Sequence, residues 1–140
     1  MNLMKALKTK IRGLTKPQFK RLKVLTQHSK NLYNQTLWTL REAYNATWFY
    51  FSYSFIPKAM KQVTNLEGEI NYRLLKSINA QQTLKRVDQN FKSFFKAHKD
   101  FQIHPNKYKS KPKPPQFKQQ TQDNLIGTIK GFKLKTGLWY

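Results

Sequence analysis

The chain has 140 residues, enough for one domain with a modest hydrophobic core. Its 27 Lys and Arg outnumber its 6 Asp and Glu, and the net charge of +21 indicates a nucleic-acid partner ahead of an anionic membrane surface. It has no cysteine, which excludes disulfides and cysteine-ligated zinc, and no apolar run of secretory or membrane-spanning length, so we expect a cytoplasmic, nucleoid-associated protein.

The N-terminal part predicts a strand followed by a long helix. Residues 3–12 alternate loosely between apolar and basic side chains, which is typical of a short strand with one basic face, and Gly13 ends it. Thr15 as a hydroxyl N-cap and Pro17 in the first turn mark a helix start. The first 41 residues hold ten basic and no acidic side chains, so this helix should carry an uncompensated positive surface. Spacings of three and four predict a buried face running to about Tyr44, formed by Phe19, Leu22, Leu25, Ser29, Leu32, Thr36 and Leu40.

Seven aromatic side chains crowd residues 44–55. Alternation within this stretch predicts that part of it is extended. Two interpretations stay open at this point. The cluster is either core between helices or an interface with another domain, or it is a platform on which nucleobases stack.

Two further helices follow. Pro57 opens a short one that ends near Val63, and Glu67 and Glu69 then mark a solvated acidic turn rather than a metal site. Ser77 is the predicted N-cap of the third helix. Its apolar stripe consists of Ala80, Leu84, Val87, Phe91, Phe94, Phe95 and His98.

Residues 104–118, here called the Lys/Pro segment, contain four prolines and five lysines. The prolines exclude a helix, and the lysines favour a track for phosphates. Tyr108 and Phe117 are placed to stack on bases. The alternative is a solvated linker. Residues 123–135 then return to strand character, broken by glycines.

A nuclease centre is not predicted. Two-metal hydrolysis needs several converging carboxylates, and the six acidic residues are scattered along the chain. His28, His98 and His104 are isolated, and no glycine-rich phosphate loop is present. We therefore expect neither enzymatic activity nor a cofactor in this chain.

Several motifs together resemble the TnpB family, the OrfB-type proteins of bacterial insertion sequences. Leu74–Phe95, which includes Ala80-Gln81-Gln82, is similar to a helix of that family. Thr15-Lys16-Pro17-Gln18, the Tyr33-Asn34 pair, Pro114–Lys118 and Phe132–Trp139 follow in the family's order and spacing. The resemblance spans nearly the whole chain.

This resemblance implies the N-terminal region of a transposase-associated, RNA-guided DNA endonuclease, often labelled a helix-turn-helix domain. In such proteins this region grips guide RNA, the guide–target heteroduplex and flanking DNA. A following RuvC-like domain with metal-binding carboxylates and a zinc ribbon cuts the DNA. We expect the present chain to be truncated before that domain, so the divalent metal and the zinc would belong to the missing part.

The predicted fold is mainly α with a few β-strands (α+β). The resemblance implies that a helical lobe of about three helices is inserted between the strands of an incomplete small barrel. Residues 1–13 form the first barrel strand, 14–100 the helical nucleic-acid-binding lobe, 101–122 a basic extended linker and 123–140 the remaining strands.

The predicted contacts are dominated by lysine, which suits diffuse contact with phosphates better than reading of guanine. We therefore expect binding with little sequence preference to guide-type RNA and DNA. The predicted nucleic-acid-binding residues are Lys8, Lys10, Arg12, Lys16, Lys20, Arg21, Lys23, Lys76, Lys85, Arg86, Lys92, Lys96, Lys107, Tyr108, Lys109, Lys111, Lys113, Phe117 and Lys118.

Two other interpretations compete with this one. The chain is a complete small RNA-binding structural protein of ribosomal or nucleoid type, or it is one half of an enzyme whose nuclease half is separately encoded. The first alternative predicts a stable, cooperatively folding monomer with a closed core. The second, like the truncated TnpB-like chain, predicts exposed strand edges at residues 125–140 and a tendency to aggregate.

Overall fold

The computed structural model describes residues 12–119 and the backbone of two short strands near the C-terminus. Three α-helices account for most of the first part: α1 (Lys16–Thr47), α2 (Ile56–Met60) and α3 (Ser77–Ile103). Two single 3-10 turns, Asn71–Leu74 and Pro105–Lys107, precede and follow α3. The three predicted helices are thus present.

The first helix begins as its sequence predicts. The backbone N–H of Gln18 donates to Thr15 Oγ1 at 3.3 Å, and the backbone N–H of Thr15 donates to Gln18 Oε1 at 3.0 Å. This capping box provides hydrogen-bond partners for backbone N–H groups at the start of the helix, and Pro17 in the first turn has no N–H that needs one. The helix ends at Trp48, which has a left-handed φ of 59°. A bulky side chain is uncommon at a position that usually takes glycine.

The start of α3 differs from the prediction. Lys76, with an extended backbone, is the N-cap, and no side chain caps the helix. Ser77 is the first helical residue, and its Oγ instead accepts a hydrogen bond from Gln81 Nε2 at 3.3 Å. The helix continues to Ile103, past the boundary predicted at residue 100.

The core is the seam between α1 and α3, which run in the same direction. Three contacts show this, since Ser29 meets Thr83, Tyr33 meets Asn90 and Tyr44 meets Phe95 in ascending order along both helices. Small side chains let the two backbones approach closely. The buried positions of the seam are Ser29, Leu32, Tyr33, Thr36, Leu37 and Leu40 on α1 and Ala80, Thr83, Leu84, Val87 and Phe91 on α3.

The predicted faces of both helices are only partly correct. On α1, Ser29, Leu32, Thr36 and Leu40 are buried, but Phe19 is 59% exposed. Leu25 is half-buried and packs against the core, whereas Leu22 is half-buried in the turns of α1 that extend beyond it. On α3, the stripe is buried through Phe91, and then becomes half-buried at Phe94, Phe95 and His98.

The connection from α1 to α3 completes the core. It contributes the buried side chains of Ile56, Met60, Tyr72 and Leu75. Tyr50 donates a hydrogen bond to Asp88 Oδ1 at 2.7 Å, and the Asp88 carboxylate lies 2.9 Å from Lys92 Nζ. Burial and this carboxylate raise the pKa of the Tyr50 hydroxyl well above its usual range.

The α+β fold with an incomplete barrel is wrong. Residues 12–119 contain helices and no β-strand. The described β-structure consists of β1 (Leu134–Lys135) and β2 (Leu138–Trp139), which pair antiparallel only with each other. A barrel needs strands that pair on both edges, so this ladder supports none. The strand predicted at residues 3–12, with Lys8 and Lys10, and most of residues 123–140 lie outside the described residues.

Phe91→Ala should lower the free energy of unfolding by about 3–5 kcal/mol, because it leaves a cavity in the seam. Phe91 is only 2% exposed. Phe19→Ala is the matched control and should change the free energy by less than about 0.5 kcal/mol, since this ring is largely in solvent. Urea denaturation measures both. Equal effects would mean that the seam is wrongly assigned.

Tyr50→Phe should lower the free energy of unfolding by about 1–3 kcal/mol at neutral pH, because the buried Asp88 carboxylate loses a hydrogen-bond donor. The raised pKa keeps Tyr50 neutral in the folded state, whereas unfolded tyrosine ionises near pH ~10. The contribution of Tyr50 to wild-type stability is therefore complete below that pH and declines above it. The difference in free energy of unfolding between the wild type and Tyr50→Phe should consequently become smaller at alkaline pH. Urea denaturation as a function of pH tests this. Tyr44→Phe is the control, because it removes a hydroxyl that has no hydrogen bond to any described residue. The difference in free energy of unfolding between the wild type and Tyr44→Phe should not change in this way with pH.

Candidate nucleic-acid interface

The first turns of α1 form a basic N-terminal arm, residues 16–24. The first fully buried residue of α1 is Ser29, which is 13 residues after Lys16 and therefore about 20 Å along the helix axis. None of the residues in the arm is buried. The arm therefore extends past the seam and exposes its side chains to solvent.

Three lysines of the arm lie on one helical face. Lys16, Lys20 and Lys23 have the i, i+4, i+7 spacing that places side chains above one another on successive turns. All three are exposed, and none has an ion pair with a described residue. Arg12 and Arg21 are also exposed, and Arg21 lies off the lysine face. No acidic residue occurs from residue 12 to 41, so the face is uncompensated by local charge.

The predicted basic residues of α3 do not form one site. All five, Lys76, Lys85, Arg86, Lys92 and Lys96, are exposed. Lys85, Lys92 and Lys96 share one helical face by their spacing. Lys92 is paired with Asp88, and Lys85 Nζ lies 5.9 Å from the centre of the Tyr53 ring. Arg86 lies on another face, in line with Asn90, which lines a cavity together with residues of the Lys/Pro segment.

The Lys/Pro segment is docked on the helices rather than solvated on all sides. At its start, the Asp100 carboxylate accepts hydrogen bonds from the Tyr108 hydroxyl and from Lys107 Nζ. The Tyr108 hydrogen bond, followed by the one from Lys107, lowers the pKa of Asp100. The same bond raises the pKa of Tyr108, whose ring also packs edge-on against Phe101.

The far end of the segment is fixed to α1 by Asn34. Its Nδ2 donates to the Lys118 carbonyl at 3.0 Å, and its Oδ1 accepts from the Lys118 backbone N–H at 2.8 Å. Lys118 Nζ lies 4.6 Å above the centre of the Tyr33 ring, within range of a cation–π interaction. The Arg41 guanidinium lies 5.5 Å from the centre of the Phe117 ring. The segment therefore runs back along both helices.

The docking divides the predicted residues of the segment into two groups. Lys107, Tyr108, Phe117 and Lys118 are engaged with Asp100, Phe101, Arg41, Tyr33 and Asn34, so they hold the segment in place. Lys109, Lys111 and Lys113 are exposed and contact no partner within residues 12–119. These three lysines, between two anchors, are the part of the segment that is free to meet an anion.

The aromatic stretch at residues 44–55 is divided in a similar way. Tyr50, Phe51 and Tyr53 are half-buried against the core. Trp48 is 81% exposed, Phe49 61% and Phe55 49%. Part of the stretch is therefore core, and part is an exposed apolar surface.

The described residues contain no group of three His, Asp or Glu side chains arranged to hold a metal ion. Among the helices that the structure describes, none is both long and apolar enough to cross a bilayer.

Compared with models of known protein families, with curated proteins and with solved structures, the chain matches none.

Sequence reasoning missed the residues that organise the site. Asn34 and Asn90 carry no charge and do not contribute to the apolar period, so neither pattern singles them out. The sequence singles out Asn34 only as part of the Tyr33-Asn34 pair. A polar amide at the margin of a buried helical face is the one signal that could have found them.

Asn34→Ala should free the end of the Lys/Pro segment, because it removes both hydrogen bonds to Lys118. The Lys118 amide should then exchange with solvent at least about tenfold faster, which corresponds to roughly 1.4 kcal/mol of lost protection. Hydrogen exchange followed by NMR measures this. Asn31→Ala, an exposed asparagine of the same helix, is the control and should leave the rate unchanged. Equal rates in all three proteins would mean that Asn34 does not anchor the segment.

Proposed function

We propose that this chain binds nucleic acid through its phosphate backbone, using the N-terminal arm and the Lys/Pro segment. The lysine face of the arm is the observation that carries this proposal. Lys16, Lys20 and Lys23 lie one turn or so apart, at steps of about 5 Å along the axis, exposed and without acidic neighbours in sequence. Such a row can follow a line of phosphates, which releases counterions on binding.

The Lys/Pro segment supports the same proposal. Lys109, Lys111 and Lys113, which have no partner within residues 12–119, are presented by a backbone that Asp100 and Asn34 hold at both ends. A segment fixed before binding loses less conformational entropy than a free linker would. On α1, the side chain of Asn34 lies on the same helical face as Lys16, Lys20 and Lys23, and it holds Lys118 there. The arm and the end of the segment thus lie on the same face of α1.

The identity of the basic residues favours contact with the backbone over reading of bases. Lysine is a flexible point charge, whereas reading of guanine requires the fixed fork of arginine. Only Arg12 and Arg21 accompany the arm. We therefore propose a role like that of the nucleic-acid-binding N-terminal part of a TnpB-like protein, in which guide RNA and DNA are gripped by shape and charge without a nuclease centre in this chain.

A second candidate is a stand-alone RNA-binding structural protein. The closed seam supports it, since Leu32, Leu37, Leu84 and Val87 are fully buried by residues of this chain. A cooperative, reversible unfolding transition of the isolated chain would favour this candidate. Aggregation of the isolated chain through exposed apolar surface would instead favour the interpretation that the chain is part of a larger protein.

Replacing Lys16, Lys20 and Lys23 together with glutamine should weaken binding to any nucleic acid to a similar extent. The slope of the logarithm of the binding constant against the logarithm of the salt concentration should decrease in magnitude by about 2–3, because each lysine that neutralises a phosphate contributes about 0.9. Fluorescence anisotropy with duplex and single-stranded oligonucleotides of unrelated sequences, over a range of salt, measures both effects.

The matched control replaces the exposed Lys58, Arg73 and Lys99 with glutamine, which changes the net charge by the same amount. We expect the slope of the control to stay close to that of the wild type. A control that lost as much as the arm variant would show that net charge alone drives binding, with no located interface. An undiminished slope in the arm variant would overturn the proposed role of the arm.

A further inference from the structure

A groove lies between α3 and the Lys/Pro segment. Its volume is about 360 Å³, within the range of sites for small ligands. The groove exists because the segment folds back, with residues of α1 and α3 on one side and the segment on the other. The lining residues that matter here are Asn90, Ser93, Phe94, Pro112, Lys113 and Pro115.

We infer that this groove receives one unstacked nucleobase of a single-stranded nucleic acid, with the adjoining phosphate at Lys113. The inference rests on the proposed binding of nucleic acid and goes beyond it, because it specifies the strand state that the chain prefers. A basic line can grip any backbone, but a groove that takes a base requires that the base be out of its helix.

The walls of the groove suit a flat apolar ring. Phe94 is half-buried and packs tilted against Phe95 and His98, with ring centres 5.6 and 5.8 Å apart, so its orientation is fixed. Pro112 and Pro115 line the groove from the segment as rigid rings without a backbone N–H. Aromatic side chains stack on any base, since every base presents a π-face.

Polar groups lie at the margin of the groove. Asn90 Nδ2 donates to the Tyr33 hydroxyl at 2.6 Å. The other polar atom of this carboxamide has no hydrogen-bond partner among the residues that the structure describes, and neither has the Ser93 hydroxyl. Both groups can form hydrogen bonds with the polar edge of a base, which would otherwise lose its hydrogen bonds to water on entering the groove.

The charge at the groove selects an anionic occupant. Lys113 lines it, is exposed and has no ion pair within residues 12–119, and no acidic side chain is among the lining residues. An occupant that is both aromatic and anionic, with polar atoms on the ring edge, is a nucleotide. A bare phosphate would leave the apolar walls uncovered, and a neutral aromatic compound would leave Lys113 unpaired.

The test compares two labelled oligomers of about twelve nucleotides that differ only in their bases. One is oligothymidylate, and the other is an abasic strand with the same number of phosphates. Fluorescence anisotropy of the full chain should show the thymidylate binding tighter by at least about fivefold, the low end of what stacking of one base provides.

Two variants locate the effect. Phe94→Leu removes the stacking surface, and Ala97→Phe fills the groove while leaving Phe94 in place. Both should reduce the ratio of the two affinities towards one, while binding of the abasic strand stays within about twofold. The second variant keeps the test valid if Phe94→Leu does not fold.

The outcomes separate the inference from the proposed function. If both oligomers bind equally tightly, or if neither variant changes the ratio, the groove takes no base, although the backbone interface stands. If neither oligomer binds at low salt, the proposed function itself fails. A base preference that both groove variants abolish supports both.

Discussion

Two helices that run in the same direction cannot be joined by a short turn, and this constraint shapes the described chain. The end of α1 and the start of α3 lie at opposite ends of their shared seam, so residues 48–76 must travel back along it. This connection must make contacts with the helices, because the backbone and side-chain polar groups of a long irregular segment need hydrogen-bond partners. It contributes Ile56, Met60, Tyr72 and Leu75 to the core. Asn65 donates a hydrogen bond to Asn71, and Asn71 donates one to Gln35, which fixes the connection to α1.

The same packing decides which charges the protein displays. Because burial on α1 begins only at Ser29, the first turns of this helix extend beyond the seam, and their lysines stay in solvent. Few carboxylates are present to neutralise them, and two of these are already engaged. Asp88 accepts from Tyr50 and pairs with Lys92, while Asp100 holds Tyr108 and Lys107. These two carboxylates thus act within the fold and do not offset the exposed lysines at the start of α1.

The Lys/Pro segment has no regular hydrogen bonding of its own beyond its initial 3-10 turn, so its position depends on side chains of the helices. Asp100 at one end and Asn34 at the other convert a proline-rich chain into a fixed element. Its prolines limit the conformations that it could otherwise adopt, which lowers the entropy lost on docking. The residues of the segment that line the groove beside Phe94 lie between these two anchors.

The sequence by itself determined the helices, since the Thr15–Gln18 capping box, Pro17 and the three-and-four spacing of apolar residues are local signals. It also determined the excess of positive charge. Tertiary packing decided where each helix is buried, which is why Phe19 is exposed although it belongs to the three-and-four spacing that predicted the buried face. Sequence alternation and the family resemblance together led to the wrong α+β barrel, because a strand is fixed by partners that local pattern does not supply. The docking of the Lys/Pro segment was likewise not predictable, since it depends on Asn34, 84 positions away from Lys118. Such contacts between distant positions leave no periodic trace in a single sequence.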